Sequence, residues 1–390
     1  MNPIRIGLDR LGDEWPGRFK GHRLGLLANQ ASVDGRLNNA RDVLSRRFPG
    51  QLKVLFGPQH GYGGEDQDNM VETQNSTDNT LNVPVFSLYA QSREPDTGML
   101  DMIDTLIIDL QDVGTRVYTF AATLLNCLRA AAQVGIEVVV LDRPNPLGGE
   151  RVEGNLLDPA CYSFVGPYRL PMRHGLTMGE MARLFKGAFG LDVSLDVVPM
   201  EGWRRDMLWS DTSLRWIMPS PNMPLPETAM VYPGQVLWEG TNISEGRGTC
   251  RPFEIFGAPF FDVRAIRTRL PAEVPRAYTL QDYRFRPTFN KWAGELCHGF
   301  MIHVLDPRTY EPYLSSLTLL SAMMKTHPSD FKWSDPPYEY EYKKKPIDMI
   351  MGDVSLRHSL ESGEPLPRIR DRWLPELEDF LEWRKPYLLY

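Results

Sequence analysis

The sequence predicts an α/β fold: a mostly parallel sheet covered on both faces by helices, followed by a smaller α/β unit. Three observations carry this. Apolar runs such as "TLIIDL" (105–110) and "IEVVVLDR" (136–143) read as strands buried on both faces. They alternate with amphipathic helical segments, the pattern of a parallel sheet. The chain has 390 residues, more than one ordinary core supports. Two domains are therefore expected, 1–235 and 236–390.

The elements follow in order. "HRLGLLANQ" (22–30) is a strand leaving into a polar turn, and "LNNARDVLSRRF" (37–48) has helical spacing. "QLKVLF" (51–56), "VPVFSLY" (83–89) and "TLIIDL" are the next strands. "VYTFAATLLNCLRAAAQVG" (117–135) is a helix stopped by Gly135. "IEVVVLDR" is halted by "PNPLGG". "TMGEMARLFKGAF" (177–189) opens with a capping box, Thr177 with Glu180, and "SLDVVPM" (194–200) is a sixth strand. From 218 to 254 the chain is rich in Pro and Gly and loses its periodicity, as a long functional loop does. "GFMIHVLD" (299–306) and the helical "YEPYLSSLTLLSAMMKTHP" (310–328) build the smaller unit. The C-terminal stretch reads as a closing helix with an anchored terminus.

Ligands of parallel sheets bind outside the carboxyl ends of the strands, and the unusual residues fall there. "FGPQHGYGGEDQDNMVE" (56–72) carries Gln59, His60, Glu65, Asp66, Asp68 and Glu72. "DLQDVGTRVYTF" carries Asp109, Gln111, Asp112, Arg116 and Tyr118. "LDRPNPLGGERVEG" carries Asp142, Arg143, Asn145 and Glu153. The irregular stretch adds Asn222, Glu239, Asn242, Glu245, Arg247, Arg251 and Glu254. The topology can bring the first three groups together on one rim, with the long loop closing over them.

Each group also has a plainer reading. Asp109 and Asp112 suit the N-terminus of a helix, and Arg116 can pair with either. The "GYGG" glycines suit a tight turn. A lone His60 suits a hydrogen-bonded structural role.

Several classes are excluded or disfavoured. A net charge of −7 is wrong for a general nucleic-acid binder. The four cysteines form no C-x-x-C pair, so no structural zinc site is expected. The glycines do not follow G-x-G-x-x-G, which leaves a nicotinamide oxidoreductase with little support. No G-x-S-x-G elbow is present. No metal or cofactor is expected. The N-terminal segment has no apolar run for a signal peptide or membrane span, so a cytoplasmic protein with no membrane partner is expected. Carboxylates, amides and arginines ringed by Tyr118, Tyr162, Phe164, Tyr168 and Trp238 suit a sugar ligand. A carboxyl pair suits glycoside cleavage.

"ANQASV", "GPQHG", "DLQDVGTRVYTF", "VLDRPNPLGG", "RVEGNLLDP", "SFVGPYRLPMRHGLTMGE", "PSPNMP" and "WEGTNISEGRGTCRPFEIFGAPF" stand in order along roughly residues 20 to 310. Together they resemble the NamZ-like family of exo-β-N-acetylmuramidases. The resemblance implies a Rossmann-like domain joined to a smaller α/β domain, with the active site in a cleft. It also implies release of N-acetylmuramic acid from the non-reducing ends of peptidoglycan fragments.

One departure stands out. The family's motif "PEHG" holds a glutamate, the favoured catalytic residue, where this chain has Gln59. Two accounts follow. Glu65, Glu72, Asp109 or Asp112 takes over the role beside His60, or this branch binds carbohydrate without cleaving it. In the first account Arg116, Arg247 or Arg251 would pair with the lactyl carboxylate of muramic acid.

Overall fold

The computed structural model describes residues 3–14, 17–68, 70–90, 92–271 and 277–390. The strands, in chain order, are β1 Leu24–Ala28, β2 Leu52–Gly57, β3 Ser76–Asp78, β4 Val83–Ser87, β5 Thr105–Asp109, β6 Glu137–Leu141, β7 Glu153–Leu156, β8 Pro171–Arg173, β9 Ser194–Val198, β10 Ile255–Ala258, β11 Tyr278–Phe285 and β12 Cys297–Val304. Seven of them form one sheet in the order β3-β4-β2-β1-β5-β6-β9. Each neighbouring pair is parallel except β3 with β4.

Successive side chains of a strand point to opposite faces, and here each face meets a separate core. Ile107, Val139 and Leu141 pack with Leu8, Leu11 and Leu44 on one side. Leu106, Ile108, Val138 and Val140 pack with Leu124, Leu128 and Phe185 on the other. Both faces are buried, which is why β1 and β5 read as unbroken apolar runs. The helix Phe120–Val134 ends at Gly135 with φ 75°. The capping box at Thr177 is formed in full.

β10, β12 and β11 make a separate antiparallel sheet. The closing helix Leu366–Arg384 packs back against β7. Among the described residues no helix is long and apolar enough to cross a membrane.

The stretch expected to be irregular departs from that expectation. Pro226–Gln235 is a helix and Val236–Gly240 a 3₁₀ turn. Pro226 occupies the first helical turn, where its missing N–H costs nothing. From Thr228 to Gln235 every residue is buried. A helix covered on all sides has no polar stripe, so it gives no periodic signal.

At its end, Gly234 meets the helix Pro312–Thr326 so closely that a Cβ would lie 1.9 Å from the Pro312 carbonyl oxygen. A backbone atom cannot step aside as a side chain can. Gly234→Ala is expected to destabilise the protein by about 3 kcal/mol, the upper end for overpacking, read as a lowered Tm in thermal unfolding.

Candidate active site

Loops after β2 and β5 leave the carboxyl ends of the large sheet and line one pocket. Gln59 and His60 come from the first, and the Val117–Phe120 stretch from the second. Ser220, Asn222, Met223, Tyr232, Glu239, Arg247 and Phe253 come from the middle of the chain. Tyr338 and Glu339 complete the wall from near its end.

Two polar clusters meet there. In the first, Thr119 Oγ1 donates to Gln59 Oε1 at 2.6 Å, and Gln59 Nε2 donates to Glu339 Oε1 at 3.1 Å. Tyr89 OH donates to Glu339 Oε2 at 2.5 Å. In the second, Arg247 Nη2 donates to Glu239 Oε1 at 2.7 Å and Tyr338 OH to Glu239 Oε2 at 2.5 Å. Arg247 Nε lies 3.2 Å from Glu245 Oε1, and Lys291 Nζ donates to Glu245 Oε2 at 2.9 Å. Burial alone would raise the Glu245 pKa, but Lys291 and Arg247 outweigh it and hold the group below its usual value. For Glu339 burial dominates, and its pKa is raised.

His60 sits in the left-handed region at φ 73°, followed by Gly61 at φ 86°. Burial lowers its pKa to about 4, so the ring is neutral at physiological pH. Its Nδ1 faces the Asp66 carbonyl oxygen at 2.7 Å. A carbonyl can only accept, so Nδ1 carries the proton and Nε2 is an acceptor.

Residues 24–227 match the family model described as exo-β-N-acetylmuramidase NamZ, N-terminal, and residues 230–390 match its C-terminal counterpart. The chain belongs to the NamZ family. The peptidoglycan β-N-acetylmuramidase NamZ of Bacillus subtilis (strain 168) is 39% identical over 387 residues, covering 99% of this chain and 91% of that protein. A crystal structure of a DUF1343 family protein from Bacteroides fragilis superposes with a TM-score of 0.86 at 29% identity. A second one from that organism gives 0.75 at 26% identity, and each match covers 99% of both chains.

Against this NamZ fold, the residues expected at the site fall into three groups. Gln59, His60, Tyr118, Asn222, Glu239 and Arg247 line the pocket, and Glu245 supports Arg247 from behind. Asn222 Nδ2 donates to the Gln67 carbonyl at 2.9 Å, tying the middle of the chain to the loop after β2.

A second group is structural. Asp109 is wholly buried and receives Arg143 Nε at 2.5 Å and Nη2 at 2.7 Å. It is neither a helix cap nor a partner of Arg116. Arg116 is also wholly buried and donates to the carbonyls of Asn155, Leu170, Ile350 and Met351. Its fork is filled by backbone, so it cannot also receive a ligand carboxylate. Asp112 accepts from the Gly114 N–H at 2.6 Å and lies 3.3 Å from His174 Nε2. Gln111 Nε2 donates to the carbonyls of Asp112 and Pro144. Glu153 accepts from the Leu314 N–H at 2.8 Å, and burial pushes its pKa up to about 7. Asn242 bonds Asp330 and Lys332 backbone groups.

The third group lies outside the pocket wall. Glu65 and Glu72 are exposed. Arg251 pairs with Glu254 beside a different groove. So the loop after β6 supplies no residue to this pocket wall; it is bonded to the loop after β5, through Arg143 to Asp109 and Gln111 to Pro144. Of the expected aromatic ring, Tyr118 alone lines the pocket. Trp238 is stacked on Phe256 in the core, and Tyr168 on Trp383.

Sequence reasoning missed Thr119, Tyr232, Tyr338 and Glu339. A signal for the last two was present. "PPYEYEY" (336–342) interleaves three tyrosines with two glutamates behind a proline pair, a composition suited to lining a polar pocket rather than a core.

Proposed function

We propose that this protein is a glycoside hydrolase of the exo-β-N-acetylmuramidase type, releasing N-acetylmuramic acid from the non-reducing ends of peptidoglycan fragments. Membership of the NamZ family and the named activity of the Bacillus subtilis relative support the reaction class. The observation that carries the reading is the meeting of two carboxyls, Glu239 and Glu339, with Arg247, amides and tyrosines in one buried pocket.

The roles follow from chemistry. Tyr118, Tyr232 and Phe253 offer apolar faces to a sugar ring. Gln59, Asn222 and His60 Nε2 offer hydrogen-bond partners to its hydroxyls and acetamide. Of the three arginines considered for the lactyl carboxylate, Arg247 is the one that lines the pocket. The empty space between these side chains is about 470 Å³, part of it open to solvent, within the range of about 300–1,000 Å³ usual for small-molecule sites. In this reading residues 1–235 carry the rim and 236–390 close over it.

The test is hydrolysis of 4-nitrophenyl N-acetylmuramide and of a muramic acid–glucosamine disaccharide. Release of 4-nitrophenolate and of free N-acetylmuramic acid is expected. Calorimetric binding of N-acetylmuramic acid without cleavage of either compound would instead establish a carbohydrate-binding protein.

A further inference from the structure

We infer that Glu339 is the proton-donating carboxyl of this site, in place of the side chain that Gln59 cannot supply. The assignment rests on the glycosidase reading above and adds a catalytic residue to it. An amide has no proton to give at neutral pH. Glu339 is the carboxyl in direct contact with that amide, at 3.1 Å. The chemistry is therefore displaced by one hydrogen bond, from the loop after β2 to a segment 280 residues further along the chain.

The surroundings of the two pocket carboxyls differ in the way an acid and a carboxylate require. Glu239 faces a guanidinium at 2.7 Å. Both hydrogen-bond donors to Glu339, the Gln59 amide and the Tyr89 hydroxyl, are neutral. The charged and titratable groups around Glu339 include Tyr89, Glu239 and Arg247, with the hydroxyls of Tyr232, Tyr338 and Tyr340 also within its field. Burial and Glu239 favour its protonated form; the bonds from Tyr89 and Gln59 and the charge of Arg247 oppose it.

The backbone supports a selected position. Glu339 and Tyr340 both adopt left-handed φ, 46° and 64°. For side-chain-bearing residues this costs energy, and such strain concentrates at functional sites. The segment is held in this shape by Tyr340 OH on the Met70 carbonyl at 3.2 Å. Arg93 adds to this, lying 4.1 Å from the Tyr340 ring and 4.3 Å from the Tyr89 ring.

In the reaction the C1–O bond breaks, and its electron pair and the Glu339 proton go to the leaving oxygen. One water supplies hydroxyl to C1. Its remaining proton returns to the Glu339 carboxylate, so the protein ends unchanged.

The experiment compares wild type and Glu339→Gln on two substrates of unequal leaving group. 4-Nitrophenolate departs with little proton assistance, whereas a sugar hydroxyl needs it. Glu339→Gln is expected to slow disaccharide cleavage by about 10²-fold or more while slowing the nitrophenyl substrate by less than about tenfold. The alkaline limb of the disaccharide pH–rate profile disappears with it. The amide is nearly isosteric and can keep its contacts to Gln59 and Tyr89. Glu339→Asp, whose acid is retained but set back, is expected to give an intermediate disaccharide rate. Equal losses on both substrates, or no loss on either while wild type cleaves both, would overturn the assignment and leave the glycosidase reading standing. Wild type inert on both substrates would overturn that reading and this assignment with it.

Discussion

Gln59→Glu is expected to raise the rate of muramide hydrolysis at neutral pH by about 10- to 100-fold, since a positioned acid contributes about 10²–10⁴-fold and Glu339 already supplies part of it. The new carboxyl would stand 3.1 Å from Glu339 and accept from Thr119, which now donates to Gln59 at 2.6 Å. Two carboxyls so close cannot both ionise freely; they share a proton, and one pKa rises. The acid is then retained to higher pH, so the alkaline limb of the rate profile moves upward.

Stability moves the other way. The pair binds its shared proton more tightly in the folded than in the unfolded chain. The variant is therefore least penalised at acid pH and loses stability as pH rises through the raised value. Initial rates from pH 4 to 9, with Tm over the same range, check both limbs. Exchanging the groups, Gln59→Glu with Glu339→Gln, keeps one carboxyl and one amide in contact and is expected to retain activity. A slower Gln59→Glu enzyme would identify the amide as a substrate ligand that the reaction needs.

Asp109→Asn is expected to destabilise the protein by about 3–5 kcal/mol, the cost of leaving one member of a buried ion pair without its counter-charge. Asp109 has no exposed surface, and both its oxygens receive the Arg143 guanidinium. The pair ties the end of β5 to the loop after β6, and Arg143 also holds the Val33 carbonyl at 2.9 Å. Urea unfolding measures the loss. Replacing both members with apolar residues, Asp109→Leu with Arg143→Met, is expected to cost less than Asp109→Asn alone, because no unpaired charge remains. At a temperature where the Asn variant is folded, kcat on the nitrophenyl substrate should stay within a few-fold of wild type. A folded, equally stable variant with no turnover would place Asp109 in the chemistry instead.

The contrast between these residues shows where sequence reading succeeds. Gln59 and His60 follow directly on a short apolar run, and polar residues after a core strand fall on the rim where ligands bind. Local spacing was enough to place them. Asp109 and Asp112 have the same local context, yet one is taken by Arg143, 34 residues away, and the other by the Gly114 N–H beside His174. Nothing in "DLQDVG" distinguishes a carboxylate spent on an internal cation from one left facing a cleft. Arg116 is a similar case: the resemblance offered it to a ligand carboxylate, and packing gave it four backbone carbonyls.

What the sequence by itself determined is therefore the layered architecture, the helix ends at Gly135 and Thr177, the family motifs and the first pocket loop. All of these depend on periodicity or on neighbours a few residues apart. The tertiary structure alone decided which carboxyls face the pocket. It turned Asp109 inward and brought Glu339 across 280 residues to the Gln59 amide. The physical reason is that a carboxyl's role is set by its burial and by the charge beside it. Both are properties of the packed chain rather than of any short stretch of it.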